Sequence, residues 1–460
     1  MQLKKEALSG MIWVFVDYFL VKGISFIGSI YLARILEPSD FGLIAMIAIF
    51  ITLGNIILDS GLSSSLIRNH TNDDSDYSTV FYTNIFFGIV LYLCLYFVAP
   101  LIALFFRQEI LIEIIRVYTL IFILSSFASV QLAILIKSLS FKTIALNGYG
   151  VWSIIAMYLV TKGVLVLALW IKSDWRPKLL FSKKKFIYHI NFGYKLLLAN
   201  FLSGTTTNIY NAVIGRFYSL NITGNFERAF TLNNYPLIIL TQIIGKVSFP
   251  LLSKIQNDKD YLRRVFIKLT KFAFFISAPI MLILSASAKP FILTILGDKW
   301  SESIPIFQIL CFSGLFYTLQ ALNVNTIKIY GKTDYILKGE IFLKLFMVIS
   351  SGLGLYLGFE TFLWSIVLNS LITLIVNMYF CSKVIDVSIL NQFRGLQRIF
   401  IISIFTYLSL YLFIQFIDSN LDINNFLQLI IYFLFGGIVY IAYAYLFKIK
   451  ILNEIYKLIK

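Results

Sequence analysis

Histidine and cysteine are scarce in this chain, with 2 His and 3 Cys among 460 residues. Neither His70 nor His189 has a second ligand residue at the spacing of a metal site, so we predict no metal and no other cofactor. Cys94, Cys311 and Cys381 lie in or beside apolar runs without a CxxC spacing, which is typical of small buried apolar residues and not of a disulfide framework.

Charged residues are also few. Only 13% of the chain is charged while 59% is hydrophobic, and the mean hydropathy is +0.84. A soluble domain is about 25% charged and about 45–50% apolar. This composition excludes a soluble globular protein and indicates an integral membrane protein.

Signatures of an enzyme are missing as well. The chain has 23 Asp and Glu in total, and we find neither a glycine loop for phosphate nor paired carboxylates placed for glycosyl transfer. Asp74, Ser75 and Asp76 have the DxD spacing of a metal-nucleotide motif in some glycosyltransferases, but in so short a loop this pattern favours a solvated turn. We therefore predict a protein without covalent chemistry.

Apolar segments long enough to cross a bilayer recur along the chain, because about 20 helical residues span a hydrocarbon core of about 30 Å. They predict an all-α polytopic membrane protein with about 13 transmembrane segments. The predicted spans are 11–33, 41–66, 80–105, 110–136, 145–171, 192–217, 228–251, 267–288, 303–330, 340–358, 361–381, 398–417 and 425–447.

The net charge of +16 comes from Lys and Arg residues that lie mainly in alternate loops. Positive loops prefer the cytoplasm, so this pattern orients the chain with both termini cytoplasmic, and it does not require nucleic acid as a partner. The chain is therefore expected to lie in a membrane, with membrane lipids as neighbours. The main basic segments are 172–185, 254–271, 328–344, 383–398 and 448–460.

The apolar segment 145–171 conflicts with this pattern, because basic residues lie on both of its sides. If it crosses once, the later basic loops become external. If it returns to its own side as a re-entrant or broken pair, every loop obeys the charge rule. We favour the return, which keeps 172–185 in the cytoplasm.

Ionisable residues inside the predicted spans are candidates for function, because burying a charge in a bilayer is costly. Lys22 lies eleven residues into the first span, about 16 Å along the helix and near the middle of the core. The alternative is a structural lysine paired with a neighbouring oxygen. Asp17 and Asp59 are candidates for coupling a proton or sodium ion, although each also suits pairing with a cation.

Three further cations lie near the predicted ends of helices, namely Arg216, Arg228 and Lys246. Long side chains in such places reach the interface, so a solvated role is one interpretation. The other is a cationic lining, together with Lys22, between two helix bundles. A diphosphate requires such a lining, because its charges do not enter a low-dielectric cavity without fixed cations or donors.

Several motifs resemble those of bacterial polysaccharide exporters and lipid-linked oligosaccharide flippases of the multidrug/oligosaccharidyl-lipid/polysaccharide superfamily. The resemblance covers about residues 10–335, and the remainder is similar only in hydropathy. The motifs are GISFIGSIYLARILEPSDFGLIAMIAIFITLGNIILDSGLSSSLI, APLIALFF, WRPKLLFS, NIYNAVIGRFYSLNITGNFERAF, VSFPLLSKIQNDKDYLRR and AKPFILTILGDKW.

The resemblance implies two bundles of helices around a central cavity. We expect an N-terminal bundle over 1–191, a second bundle over 192–398, and a helix pair with a basic tail over 399–460. Arg216 and Arg228 match the family's IGR and RA positions, whereas Lys22 and Lys246 rest on their charge alone.

The sequence departs from the family pattern at two places. Tyr210 stands where the family usually has an acidic residue, and about twenty apolar residues are missing between SFKTIA and GYGVW.

The function implied by the resemblance is the flipping of an undecaprenyl-diphosphate-linked oligosaccharide, such as an O-antigen, capsule or exopolysaccharide unit, by alternating access. The partners of such a protein would be the lipid-linked oligosaccharide, which it binds, and possible polysaccharide assembly machinery. Two alternatives remain open: a cation-coupled exporter of drugs or small molecules, with a more apolar, carboxylate-containing cavity, and a membrane-embedded glycosyltransferase or polymerase.

Overall fold

The computed structural model describes residues 29–59, 73–127, 208–421 and 423–449, with scattered positions between 163 and 190. These residues are almost all helical and include no strand. The helices are α1 (29–35), α2 (Pro38–Asp59), α3 (Asp74–Phe106), α4 (Leu111–Tyr118), α5 (120–127), α6 (183–188), α7 (208–217), α8 (Leu220–Lys254), α9 (Lys259–Ala286), α10 (Ala288–Ile295), α11 (Ser303–Gly314), α12 (Tyr317–Ile329), α13 (Thr333–Leu357), α14 (Phe359–Ile385), α15 (Ile389–Asn420) and α16 (Asn425–Leu446).

Nine helical segments of the described residues are long and apolar enough to cross a membrane. They are α2, α3, α8, α9, the α11–α12 pair, α13, α14, α15 and α16, and each overlaps one predicted span. The prediction of an all-α polytopic membrane protein is therefore confirmed. The other four predicted spans, 11–33, 110–136, 145–171 and 192–217, extend outside the described residues, so the count of 13 stays a prediction.

Several helices begin earlier than hydropathy predicts. α9 begins at Lys259 instead of 267, with the Asp258 carboxylate capping the Tyr261 N–H at 2.9 Å. α15 begins at Ile389 instead of 398, where Ser388 is the N-cap residue. Hydropathy detects only the apolar part of a helix, whereas the first turns here are polar and are fixed by side-chain caps.

The described residues form two compact units. The larger unit contains residues up to Ile35 and from Arg228 onward, and the smaller unit contains Leu36–Glu227. The expected division at residues 191 and 398, and the central cavity between two bundles, stay predictions.

Each unit has its own apolar core. In the smaller unit α2, α3, α4 and α5 pack around Met46, Ile114 and Phe122. In the larger unit Leu252, Phe266 and other apolar side chains join the ends of α8, α9, α12 and α14. Because lipid is as apolar as these side chains, close packing and not burial from water holds such helices together.

Candidate functional site

α2 and α8 meet at their first turns through two glycines, and the whole contact lies in the smaller unit. A β-carbon added to Gly42 would lie 2.3 Å from the carbonyl oxygen of Leu220, and one added to Gly224 would lie 1.7 Å from that of Pro38. Only glycine permits two backbones to approach this closely. We call these four residues the glycine crossing.

Arg216 lies near the end of α7, four residues before Leu220. Its guanidinium carbon stands 5.3 Å from the centre of the Phe105 ring and 6.0 Å from that of Phe217. The residue is half-buried, and among the described residues it forms no ion pair with a carboxylate. A guanidinium has five N–H donors, and aromatic faces use none of them fully, so Arg216 can still bind an anion.

Arg228 lies on α8, four residues beyond Gly224, and belongs to the larger unit. Its Nη1 donates a hydrogen bond of 2.6 Å to the hydroxyl of Ser29 in α1. This contact uses one donor of the guanidinium. The predicted binding roles of Arg216 and Arg228 stay predictions.

The other four predicted site residues are not described in full. Lys22 and Asp17 lie outside the described residues. Lys246 belongs to α8 and Asp59 ends α2, but their side chains lie outside the description. Their roles in substrate binding and ion coupling stay predictions.

α7 also contains the position at which the family usually has an acidic residue. Tyr210 is buried there, and Asn208, one half-turn earlier, donates a hydrogen bond of 2.8 Å to the Thr52 hydroxyl of α2. Within the described part of the chain, no three His, Cys, Asp or Glu residues are grouped so as to hold a metal ion.

α1 is attached to the segment around α10 by two side chains that the sequence analysis did not single out. The indole N–H of the buried Trp300 donates to the carbonyl oxygen of Ala33 at 2.8 Å. Arg34 donates to the carbonyl oxygens of Ile295 at 3.0 Å and Thr294 at 2.5 Å. Both side chains lie in motifs that carried the resemblance, LARILEP and GDKW. Their presence in these motifs was the signal in the sequence that could have singled them out.

The DxD stretch is not a solvated turn. The Asp73 carboxylate caps α3 by accepting from the N–H groups of Ser75 at 2.9 Å and Asp76 at 3.0 Å. The Asp76 carboxylate accepts from the Asp73 N–H at 3.1 Å and is buried. These reciprocal contacts form a capping box, so the carboxylates begin a helix.

Two lysines of the basic segment 172–185 pair with this cap. Lys178 forms an ion pair with Asp74, and Lys185 lies 2.5 Å from the Asp73 carboxylate and 3.0 Å from that of Asp76. The hydrogen bond from Lys185, with that from the Asp76 N–H, lowers the pKa of Asp73 to about 2. Partial burial disfavours the charged form of Lys185, but hydrogen bonds to both carboxylates raise its pKa overall.

These contacts show at which end of α3 the basic segment lies. The Trp170 indole N–H donates to the Phe127 carbonyl oxygen at 3.1 Å, and both rings pack against Phe81, two turns from the start of α3. Lys178 and Lys185 contact the carboxylates at the start of α3. The course of 145–171 and the residues before it lie outside the described residues, so the return of this segment to its own side stays a prediction.

Comparison with known proteins gives consistent matches. A sequence model of the family described as "Polysaccharide biosynthesis protein" matches residues 31–305. The teichuronic acid biosynthesis protein TuaB of Bacillus subtilis (strain 168) is 24% identical over 428 residues, which are 87% of this chain and 87% of that protein. The lipopolysaccharide biosynthesis protein WzxC of Escherichia coli (strain K12) is 26% identical over 388 residues, 78% of this chain and 79% of that protein.

A solved structure of the lipid II flippase MurJ in an inward closed conformation is similar in fold. The TM-score is 0.77 at 16% sequence identity, and the match covers 95% of this chain and 100% of that one. The chain thus shares the fold of that structure.

Proposed function

We propose that this chain, which belongs to the polysaccharide biosynthesis protein family, flips an undecaprenyl-diphosphate-linked oligosaccharide across the bacterial inner membrane by alternating access. The names of TuaB and WzxC support this proposal, because they concern the biosynthesis of teichuronic acid and of lipopolysaccharide. Both termini lie in the cytoplasm, as the basic loops indicate. The protein moves its substrate across the membrane and neither makes nor breaks a covalent bond. Its partners are proteins of polysaccharide assembly.

The observation that carries the proposal is that Arg216 is half-buried and has no carboxylate partner among the described residues. A guanidinium that is half-buried against Phe105 has given up part of its hydration, and no carboxylate within the described residues compensates its charge. Such a cation attracts an anion that can desolvate with it. A diphosphate presents several oxygens to the planar fork of an arginine, which suits bidentate binding.

Other cations complete the proposed lining. Arg228, whose guanidinium donates to the Ser29 hydroxyl, is a second member, and Lys22 and Lys246 are the remaining members. We assign all four to the diphosphate or to acidic sugars of the substrate. Asp17 and Asp59 are the proposed coupling carboxylates.

A cation-coupled drug exporter is the nearest alternative. It calls for a carboxylate in an apolar cavity, and in α7 the corresponding position is the buried Tyr210. The half-buried cation Arg216 in the same helix favours an anionic substrate instead.

The test uses cells whose surface polysaccharide depends on this chain. We expect Arg216→Ala to reduce surface polysaccharide and to leave the lipid-linked unit accumulated on the inner leaflet. The matched control is Arg264→Ala, which removes another guanidinium stacked on an aromatic ring, that of Tyr261 at 5.8 Å, but in the first turns of α9.

Both variants are compared at equal amounts of protein in the membrane. Normal export by Arg216→Ala, or an equal loss in both variants, would contradict the assigned contact. Lys22→Ala is the second variant, since its loss of export would support the lining even if Arg216→Ala misfolds.

A further inference from the structure

One face of α8 in the larger unit carries polar side chains, although contact with lipid would require apolar ones. The residues on this face are half-buried or exposed, and they are Arg228, Thr231, Tyr235, Ile238 and Gln242. Their spacing alternates between three and four residues, so all five lie along one side of the helix. We call this face the polar stripe of α8.

Gln242 is exposed close to the middle of the membrane. The predicted span of this helix is 228–251, and Gln242 lies two to three residues from its centre, about 4 Å along the helix axis. An amide in contact with hydrocarbon loses its hydrogen bonds to water, which costs free energy. An exposed amide at this depth therefore indicates that water, and not lipid, lies beside the polar stripe.

α13 of the same unit shows what a lipid-facing helix looks like. Its predicted span is 340–358, and within 341–353 each exposed residue is apolar or glycine. Such a surface is the one that hydrocarbon favours. The exposed faces of α8 and α13 thus differ in polarity at a similar depth, and this difference distinguishes a face in contact with water from one in contact with lipid.

A second helix contributes an amide beside the polar stripe. A β-carbon added to Gly245, three residues beyond Gln242, would lie 3.4 Å from the Nδ2 of the half-buried Asn325 in α12. Within the part of the chain that the structure describes, the side-chain amides of Gln242 and Asn325 have no hydrogen-bond partner. Each amide has two N–H donors and an acceptor oxygen. Both can therefore form hydrogen bonds with a ligand.

The chemistry of the polar stripe suits a sugar. Each hydroxyl group of a sugar both donates and accepts hydrogen bonds, and an amide side chain can match it in both senses. Tyr235, two turns before Gln242 and about 10 Å away along the helix, adds an aromatic ring that can pack against the apolar face of a sugar. Tyr235, Gln242 and Asn325 carry no charge, whereas Arg228 at the beginning of the stripe is a cation.

We propose that the polar stripe binds the uncharged sugars of the lipid-linked oligosaccharide. Gln242 and Asn325 form hydrogen bonds with sugar hydroxyl groups, and Tyr235 packs against a sugar ring. This assignment rests on the proposed function, because it concerns the same substrate: Arg228 binds the diphosphate, and the sugars extend from there along α8. A lipid diphosphate without sugars has no group for the two amides.

The test measures the binding of two ligands to the purified full chain in detergent, by native mass spectrometry. One ligand is the lipid-linked oligosaccharide isolated from cells whose surface polysaccharide depends on this chain, and the other is undecaprenyl diphosphate without sugars. We expect Gln242→Met, which keeps the size and removes the amide, to weaken binding of the first ligand about fivefold. Binding of the second ligand is expected to change by less than about twofold.

Asn325→Leu is the second variant, and the same two results are expected from it. Gln415→Met, at an exposed glutamine of α15, is the matched control and is expected to leave the binding of both ligands unchanged. Unchanged binding of undecaprenyl diphosphate also shows that each variant is folded.

The possible outcomes separate the sugar contact from the proposed function. Equal affinity of the wild type for both ligands, or unchanged binding of the oligosaccharide by both variants, would overturn the sugar contact and leave the diphosphate contact in place. Equal weakening of both ligands in both variants would also overturn it, because general damage to the fold has that effect. A wild-type chain that binds neither ligand would contradict the proposed function and, with it, the sugar contact.

Discussion

Gly224 lies so close to Pro38 that a β-carbon on the glycine would stand 1.7 Å from the proline's carbonyl oxygen. The reverse contact, of Gly42 with Leu220, is nearly as close at 2.3 Å. The first turns of α2 and α8 therefore touch through backbone, without interlocked side chains. Such a contact holds the two helices at a fixed close distance within the smaller unit.

Enlarging Gly224 is expected to break the glycine crossing. Gly224→Val places a branched side chain where the Pro38 carbonyl stands, and such overpacking destabilises by about 1–3 kcal/mol or more. Thermal unfolding of the purified protein measures the change. The matched control is Gly437→Ala in α16, where an added β-carbon meets nothing within 4 Å; equal stability of Gly224→Val and wild type would contradict the crossing.

Trp300 is expected to stabilise the end of α1. Trp300→Phe removes the indole donor and leaves the Ala33 carbonyl unpaired, and both residues are fully buried. We expect the free energy of unfolding to fall by about 1–3 kcal/mol. Trp364→Phe, at a tryptophan that is 45% exposed, is the control, and a loss as large there as at Trp300 would argue against a specific role for the hydrogen bond.

The pairing of Lys178 and Lys185 with the cap of α3 predicts the side of the basic segment. In a chain whose three cysteines are replaced, new cysteines at Asn72 and Lys183 are expected to react with an impermeant thiol reagent from the same side of the membrane. Labelling of the two positions from opposite sides would contradict the ion pairs. We expect that common side to be the cytoplasm.

At acid pH we expect the folded state to lose the stabilisation that the Asp73 carboxylate contributes. Its pKa is lowered from 3.8 to about 2 by the hydrogen bond from Lys185 and then by that from the Asp76 N–H. A carboxylate whose pKa is lower in the folded state stabilises the fold above its unfolded pKa and loses that contribution as the pH falls. The stability difference between wild type and Asp73→Asn is thus expected to be constant above about pH 5 and to shrink from about pH 4 to pH 2. A difference that stays constant down to pH 2 would count against this contact.

The membrane-spanning helices could be predicted from the sequence because apolar length is a local property. The first turns of α9 and α15 were missed because caps such as Asp258 and Ser388, and not hydropathy, set where these helices begin. The role of Asp73 and Asp76 was available in the sequence, since their spacing is that of a capping box, but the DxD interpretation obscured it.

The glycine crossing could not be predicted in the same way. PSDFG and LNITG each place a glycine at the fifth position, but nothing in one sequence indicates that these distant segments meet. The same is true of Arg216 and Phe105, and of Trp300 and Ala33. Contacts between residues far apart in the chain depend on helix packing, and composition and spacing do not encode that packing locally.

The most direct test of the proposed function reconstitutes the purified chain in proteoliposomes with a fluorescent undecaprenyl-diphosphate oligosaccharide. An impermeant reagent then reports how much of the sugar has moved between leaflets. The predicted result is movement that requires the protein and falls sharply with Arg216→Ala but not with Arg264→Ala. Movement no faster than in protein-free vesicles, with the reconstituted protein shown to be folded, would contradict the account.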